Sequence, residues 1–180
     1  MPPRMHWSTV LNQPSAEQQY TTVSVMRKRK RPIDKTDLSI VRFLQNDCQV
    51  PLDVLAKKLR VPKSTLHYRI KRLEKDGVID GYYAKVNALE LGYDYVAIVL
   101  VRAKYGPHYH ERVGRKIASI PGVWAVYYVL GDFDFIVLIR ATNRDDYMSK
   151  LEQLSSMNGI ERTSTQIAAK IVKEDPRVDI

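Results

Sequence analysis

Between Lys63 and Arg72 the sequence KSTLHYRIKR mixes hydrogen-bond donors and cations with apolar residues at helical spacing. On a helix, Leu66, Ile70 and Leu73 share one face, which leaves Lys63, Ser64, Thr65, His67, Tyr68, Arg69, Lys71 and Arg72 outside it. Hydroxyls, an imidazole and guanidinium groups in that arrangement suit phosphate oxygens and base edges, so the expected partner is double-stranded DNA. Lys63, Ser64 and Thr65 open the helix, where backbone N–H groups add to their donors. Arg69 is expected to make a bidentate contact to guanine, worth about 1–3 kcal/mol of discrimination, and Lys71 and Arg72 to hold phosphates. For His67 and Tyr68, base contact and plain packing or solvation are both open. A second constellation is Gly131-Asp132-Phe133-Asp134, whose amides suit a carboxylate and whose carboxylates suit an ammonium, the two ends of a free amino acid. Gly-Asp is equally what a tight hairpin requires.

The elements that must position the first set are short helices. Leu52, Leu55, Ala56 and Leu59 give an amphipathic helix ahead of the basic one, and Arg60-Val61-Pro62 breaks it, because proline disfavours a helical residue before it. Residues 51–77 therefore read as a helix-turn-helix, closed by Gly77. Asp34 is the expected N-cap of an earlier helix, with Asp37 in the capping-box position, and Leu38, Ile40, Val41, Phe43 and Leu44 supply its buried face to about Asn46.

From Tyr93 the period changes. Residues 96–101 form a continuous aliphatic run, expected to be a strand buried on both faces. A helix over 108–119 follows, with Val113 and Ile117 inward, then strands over 123–130 and 135–141 joined as a hairpin by residues 131–134. A helix over 145–157 and a strand over 160–172 complete the order β-α-β-β-α-β, the ferredoxin-like split βαβ. The expected class is thus α+β: a three-helix (winged) helix-turn-helix at 32–80, a linker at 81–92 and a ferredoxin-like domain at 93–180. Two helices cover only one face of such a sheet, yet alternation puts Trp124, Val126 and Tyr128 on one side and Val123, Ala125 and Tyr127 on the other. The uncovered face is expected to pack on a second copy. A dimer would set two recognition helices about one DNA turn (~34 Å) apart, which suits a palindrome.

Charge supports this division. The chain has 180 residues, 44% hydrophobic and 27% charged, and a net charge of +9. Residues 1–26 are neutral, 27–81 carry +8 and 82–180 carry +1. Basicity concentrated on the helix-turn-helix is what release of counterions from phosphates favours, whereas a generally solvated surface predicts an even spread. Residues 1–31, rich in Gln, Ser, Thr and Pro, are expected to be disordered, with Arg27-Lys28-Arg29-Lys30-Arg31 as a solvated tail or an arm that adds phosphate contacts. Met26 lies just before that run, and translation starting there is an alternative to Met1. No apolar run approaches a membrane span, so a cytoplasmic, nucleoid-associated protein without membrane contact is expected. Cys48 is expected to be a small buried residue. His108-Tyr109-His110 lacks a third ligand nearby, so no metal site is expected, and no cofactor either. Paired acid and base, activated nucleophile and phosphate loop are all missing from the second domain, which argues against an enzyme.

Four motifs together resemble the Lrp/AsnC, or feast/famine, family of transcription regulators. They are Ile33-Asp34-Lys35-Thr36-Asp37, then Val61-Pro62-Lys63-Ser64-Thr65 with Tyr68-Arg69-Ile70-Lys71-Arg72-Leu73-Glu74, then Gly77-Val78-Ile79-Asp80-Gly81-Tyr82, and finally Gly131-Asp132-Phe133-Asp134. The resemblance runs from Pro32 to about Val178. It implies an N-terminal helix-turn-helix, a C-terminal domain that dimerises through its sheets, dimers that often join into octamers, and an amino acid effector bound between dimers near the hairpin. Thr163, Ser164 and Thr165 match the family region that completes that pocket from a neighbouring subunit. Pro62 departs from the family's usual Ser cap, and the extension to Arg31 lies outside the pattern. An architectural, DNA-compacting protein with little sequence preference is the alternative function.

Overall fold

The computed structural model describes residues 31–180; the expectations for the preceding extension, with its basic run and Met26, lie outside the described residues. The described chain divides into two units, one running to Tyr82 and including Asp179–Ile180, the other Tyr83–Val178. The first contains α1 (Lys35–Asn46), α2 (Leu52–Leu59) and α3 (Lys63–Lys75). Ile40, Leu55, Leu66 and Leu73 are almost wholly enclosed where the three helices meet, with Ala56 and Ile70 beside them and Val78 and Ile79 packed against the cluster. Asp34 caps α1: its side chain accepts from the Asp37 N–H at 2.8 Å, and the Asp37 carboxylate accepts from the Asp34 N–H at 3.1 Å. This is the expected capping box.

The break between α2 and α3 is made earlier than proline alone would make it. Arg60 adopts left-handed backbone angles (φ 54°, ψ 43°) and ends α2, while Pro62 stands as the N-cap of α3 without a side-chain hydrogen bond. A non-glycine residue there costs about 1–2 kcal/mol, carried by the packing on either side. Cys48 is exposed, against the expectation of burial. It lies in the turn after α1, beyond the last helical residue, where Asp47 accepts from the Gln49 N–H.

The second unit contains β1 (Tyr95–Ala103), α4 (Tyr109–Ala118), β2 (Val123–Tyr128), β3 (Phe135–Ala141), α5 (Arg144–Ser155) and β4 (Ile160–Ile167). The sheet order is β2-β3-β1-β4, with every neighbouring pair antiparallel, the ferredoxin-like arrangement. Strands β2 and β4 end at Tyr128 and Ile167, short of the expected 130 and 172. Strand β1 is half-buried by alternation: Ala97, Val99, Val101 and Ala103 face the helices, and Ile98, Leu100 and Arg102 take the other side. The aliphatic run therefore reflects two differently covered faces.

Two glycines set close approaches. A Cβ on Gly114 of α4 would stand 3.2 Å from the Phe135 ring, and one on Gly122 (φ +88°) would meet the Arg140 carbonyl oxygen at 2.5 Å. Strict alternation fails in β2. The register shifts between Val123 and Ala125, so Val126 and Tyr128 face Val137 and Phe135 on the helix side. Trp124 instead lies on the open side, its ring centre 5.2 Å from the Arg140 guanidinium carbon. The open face thus presents Trp124, Tyr127, Ile98, Leu100, Ile136 and Leu138; Trp124 is 46% and Tyr127 55% exposed.

Candidate nucleic-acid interface and effector site

Helix α3 divides its polar residues into two sets. Ser64, His67, Tyr68 and Lys71 follow the i, i+3, i+4, i+7 spacing of one outward stripe, with Lys63 at the N-terminal end, and all are exposed. Thr65 is half-buried. Two of these cations have neighbours on the surface: Lys63 pairs with Asp53 at 2.8 Å and Lys71 with Glu74 at 2.9 Å. Such exposed pairs contribute little to stability and yield readily to a phosphate.

Arg69 and Arg72 point elsewhere. One Arg69 nitrogen donates to Asp34 at 2.6 Å and to Asp37 at 2.9 Å, and Arg72 pairs with the other oxygen of Asp37. The Asp37 carboxylate is completely enclosed. A buried carboxylate must be compensated, and here two guanidinium groups from α3 and the Asp34 N–H do so. The Arg69 hydrogen bond, followed by the Asp37 N–H, holds the Asp34 carboxyl below the usual aspartate value; reciprocally, the two carboxylates raise Arg69. The guanidinium groups assigned to guanine and phosphate from the sequence are therefore held against α1. The sign that could have revealed this is the motif itself, since Asp34 and Asp37 place two carboxylates at the first turn of a helix that must pack on α3.

In the second unit the hairpin residues also separate. Asp134 is buried: its carboxylate accepts from the Ala103 N–H at 2.8 Å and from the Tyr109 hydroxyl at 3.0 Å. Tyr109 and Tyr128 hydroxyls lie 3.2 Å apart, and burial followed by these two contacts pushes the Tyr109 phenol well up. Asp134 thus holds β1 and α4 at the base of the turn. Gly131 and Asp132 are exposed, and Phe133 is half-buried. Thr163, Ser164 and Thr165 lie within β4 opposite Val101, Leu100 and Val99. Thr165 accepts from the Tyr147 hydroxyl at 2.7 Å on the helix side, while Ser164 shares the open face with Leu100.

Two arginines that the sequence reading passed over stand beside the turn. Arg102 donates to the Asp132 carbonyl at 2.8 Å, and the Arg162 guanidinium lies over the Phe133 ring, 5.4 Å from its centre. Arg102 immediately follows the aliphatic run of β1, which was the available signal. Among the described residues no group of three or more His, Cys, Asp or Glu is placed to hold a metal. No helix among them is long and apolar enough to cross a membrane.

Comparison with known proteins agrees with both units. Residues 33–80 match the family described as winged helix-turn-helix DNA-binding, and residues 96–178 match the Lrp/AsnC ligand binding domain. The HTH-type transcriptional regulator FL11 of Pyrococcus furiosus is 36% identical over 148 residues, covering 82% of this chain and 97% of that protein. Its namesake from Pyrococcus horikoshii is 35% identical over 149 residues, covering 83% and 97%. Among solved structures, an AsnC family transcriptional regulator from Agrobacterium tumefaciens superposes with a TM-score of 0.75 at 23% identity, covering 81% of this chain and 96% of that one. A transcriptional regulator from Neisseria meningitidis in complex with L-Met has a TM-score of 0.75 at 19% identity, covering 82% and 97%.

Proposed function

Because this chain belongs to the Lrp/AsnC family of transcription regulators, we propose that it reads DNA through Ser64, His67 and Tyr68, with Lys63, Thr65 and Lys71 at the phosphates. The protein is an HTH-type transcription regulator; the finer reading concerns which side chains do the work. The observation that carries it is the withdrawal of Arg69 and Arg72 to Asp34 and Asp37, which leaves that outward stripe as the accessible face of α3. A stripe without a free guanidinium favours hydroxyl, imidazole and phenol contacts, among them apolar contact with thymine methyl groups, over bidentate reading of guanine.

The open sheet face supports a homodimer. Trp124, Tyr127, Ile98 and Leu138 form an apolar surface that monomers rarely expose, and pairing it would present two α3 helices to a palindromic site. Further association into an octamer is the family's habit extended to this chain. The effector reading places a free amino acid at the turn of residues 131–134; that such a domain takes an amino acid is in keeping with the Neisseria regulator having been solved with L-Met. Asp132 supplies the exposed carboxylate for its ammonium, Asp134 being engaged with Ala103 and Tyr109. Phe133 and Ser164 flank the turn and the open face, while Thr163 and Thr165 shape the strand behind them.

Selection of bound duplexes from a random pool, followed by footprinting, tests this function. A regulator gives a discrete, two-fold symmetric protected site. Uniform protection with no selected sequence would instead indicate an architectural, compacting role.

A further inference from the structure

The same end of the sheet carries an unusual juxtaposition. Arg102 of β1 and Arg162 of β4 are direct cross-strand partners on the open face. Like charges placed opposite one another destabilise a strand pair, so an uncompensated pair of this kind is retained only at a cost. The compensation present is partial: Glu161 approaches Arg102 at 3.8 Å, with both side chains substantially exposed. Arg102 also donates to the Asp132 carbonyl. Arg162 has no ion pair or hydrogen bond through its guanidinium among the described residues, only the Phe133 ring beneath it. Its five N–H donors are therefore available at the edge of the turn.

The turn itself has unfilled positions. Among the described residues, the amides of Gly131, Asp132 and Phe133 donate no hydrogen bond, whereas Val129 and Asp134 on either side donate to Asp134 and Val101 carbonyls. These amides match an α-carboxylate, and the exposed Asp132 carboxylate matches an α-ammonium. Once both ends of an amino acid are assigned, the Arg162 guanidinium, backed by Arg102, remains for its side chain. We propose that the effector is a dicarboxylic α-amino acid whose side-chain carboxylate is bound by Arg162, with Arg102 fixing the turn through Asp132. This inference rests on the reading of the turn as an effector site and adds to it the charge class of the ligand. A planar guanidinium held over an aromatic ring is suited to a carboxylate in fork geometry, and a neutral carboxamide of equal size forfeits the charge-assisted bond.

The test is calorimetric titration of the full-length protein with L-glutamate, L-aspartate, L-glutamine, L-asparagine, L-leucine and L-lysine, repeated on Arg162→Gln and Arg162→Lys. Light scattering reports the assembly state of each variant. The expected result is that L-glutamate or L-aspartate binds about tenfold or more tightly than its amide, that Arg162→Gln removes this preference, and that Arg162→Lys restores part of it. Equal or tighter binding of the amides or of leucine or lysine would overturn the dicarboxylic class while leaving an effector site in place. No binding of any of the six would remove the proposed ligand, and extending the titration to the remaining amino acids then decides whether the effector reading falls with it. A change of assembly in Arg162→Gln without ligand, together with no acid-over-amide preference in the parent protein, would assign the arginine to a contact between copies and overturn the proposal.

Discussion

The two domains each bury one aspartate, and they satisfy it with opposite kinds of partner. Asp37 in the helix-turn-helix takes two guanidinium groups from α3. Asp134 in the sheet domain takes a backbone N–H and a phenol, both neutral. The consequence reaches the surface in each case. Where the buried acid consumes arginines, the recognition helix is clamped to α1 and its outward stripe is left to Ser64, His67, Tyr68 and Lys71. Where neutral donors suffice, Arg102 and Arg162 stay on the open face beside the turn. The two buried acids thus differ in whether they draw guanidinium groups away from the surface.

Removing the charged partner should break this comparison most visibly. Asp37→Ala leaves two guanidinium groups of α3, Arg69 and Arg72, without their enclosed partner, and is expected to destabilise the helix-turn-helix by about 3–5 kcal/mol in urea denaturation. Asp134→Ala leaves the Ala103 N–H and the Tyr109 hydroxyl unsatisfied, and the expected loss is smaller, about 1–3 kcal/mol, confined to the sheet domain. Equal losses in the two domains would remove the distinction between charged and neutral partners.

Asp34→Ala sharpens the comparison at lower amplitude, removing a helix cap for about 1 kcal/mol. The pH dependence of this residue has a definite sign. Its folded pKa is depressed from 3.8, so its contribution is present above that value and is lost as pH falls through the lower, folded one. Melting of the helix-turn-helix followed from pH 6 downward should show a loss below about pH 4 that Asp34→Asn reduces. The smallest stability effect belongs to Lys71→Ala, within about 0.5 kcal/mol of the parent protein. Its effect should appear in DNA binding, where the slope of affinity against salt falls by about 0.9 for one lost phosphate contact.

The sequence carried the element order well, because its signals are local. Capping at Asp34, the apolar stripe of Leu66, Ile70 and Leu73, and the hairpin between β2 and β3 all depend on residues a few positions apart. What it carried poorly depends on pairing across the fold. Nothing local distinguishes Arg69, which turns to a helix 32 residues earlier in the chain, from Lys71, which faces outward. Alternation groups Trp124 with Val126 and Tyr128, whereas the register shift in β2 puts it on the opposite face from them, and such a shift leaves no mark in the sequence. Arg102 and Arg162 become neighbours only through the β1–β4 pairing, which joins strands 60 residues apart. Asp134 reads as a ligand from its motif and as a buried anchor only once Tyr109 is brought beside it.

The central claim is that Arg69 braces α3 while His67 and Tyr68 read the bases. Sequence selection on the DNA-bound protein, run in parallel on Arg69→Gln and on the double variant His67→Ala with Tyr68→Ala at a temperature where both are folded by circular dichroism, tests it most directly. The account predicts that Arg69→Gln melts earlier yet selects the parent sequence, and that the double variant keeps its melting temperature and selects a different or degenerate one. Loss of a single guanine preference in Arg69→Gln, with the double variant still selecting the parent site, would contradict it.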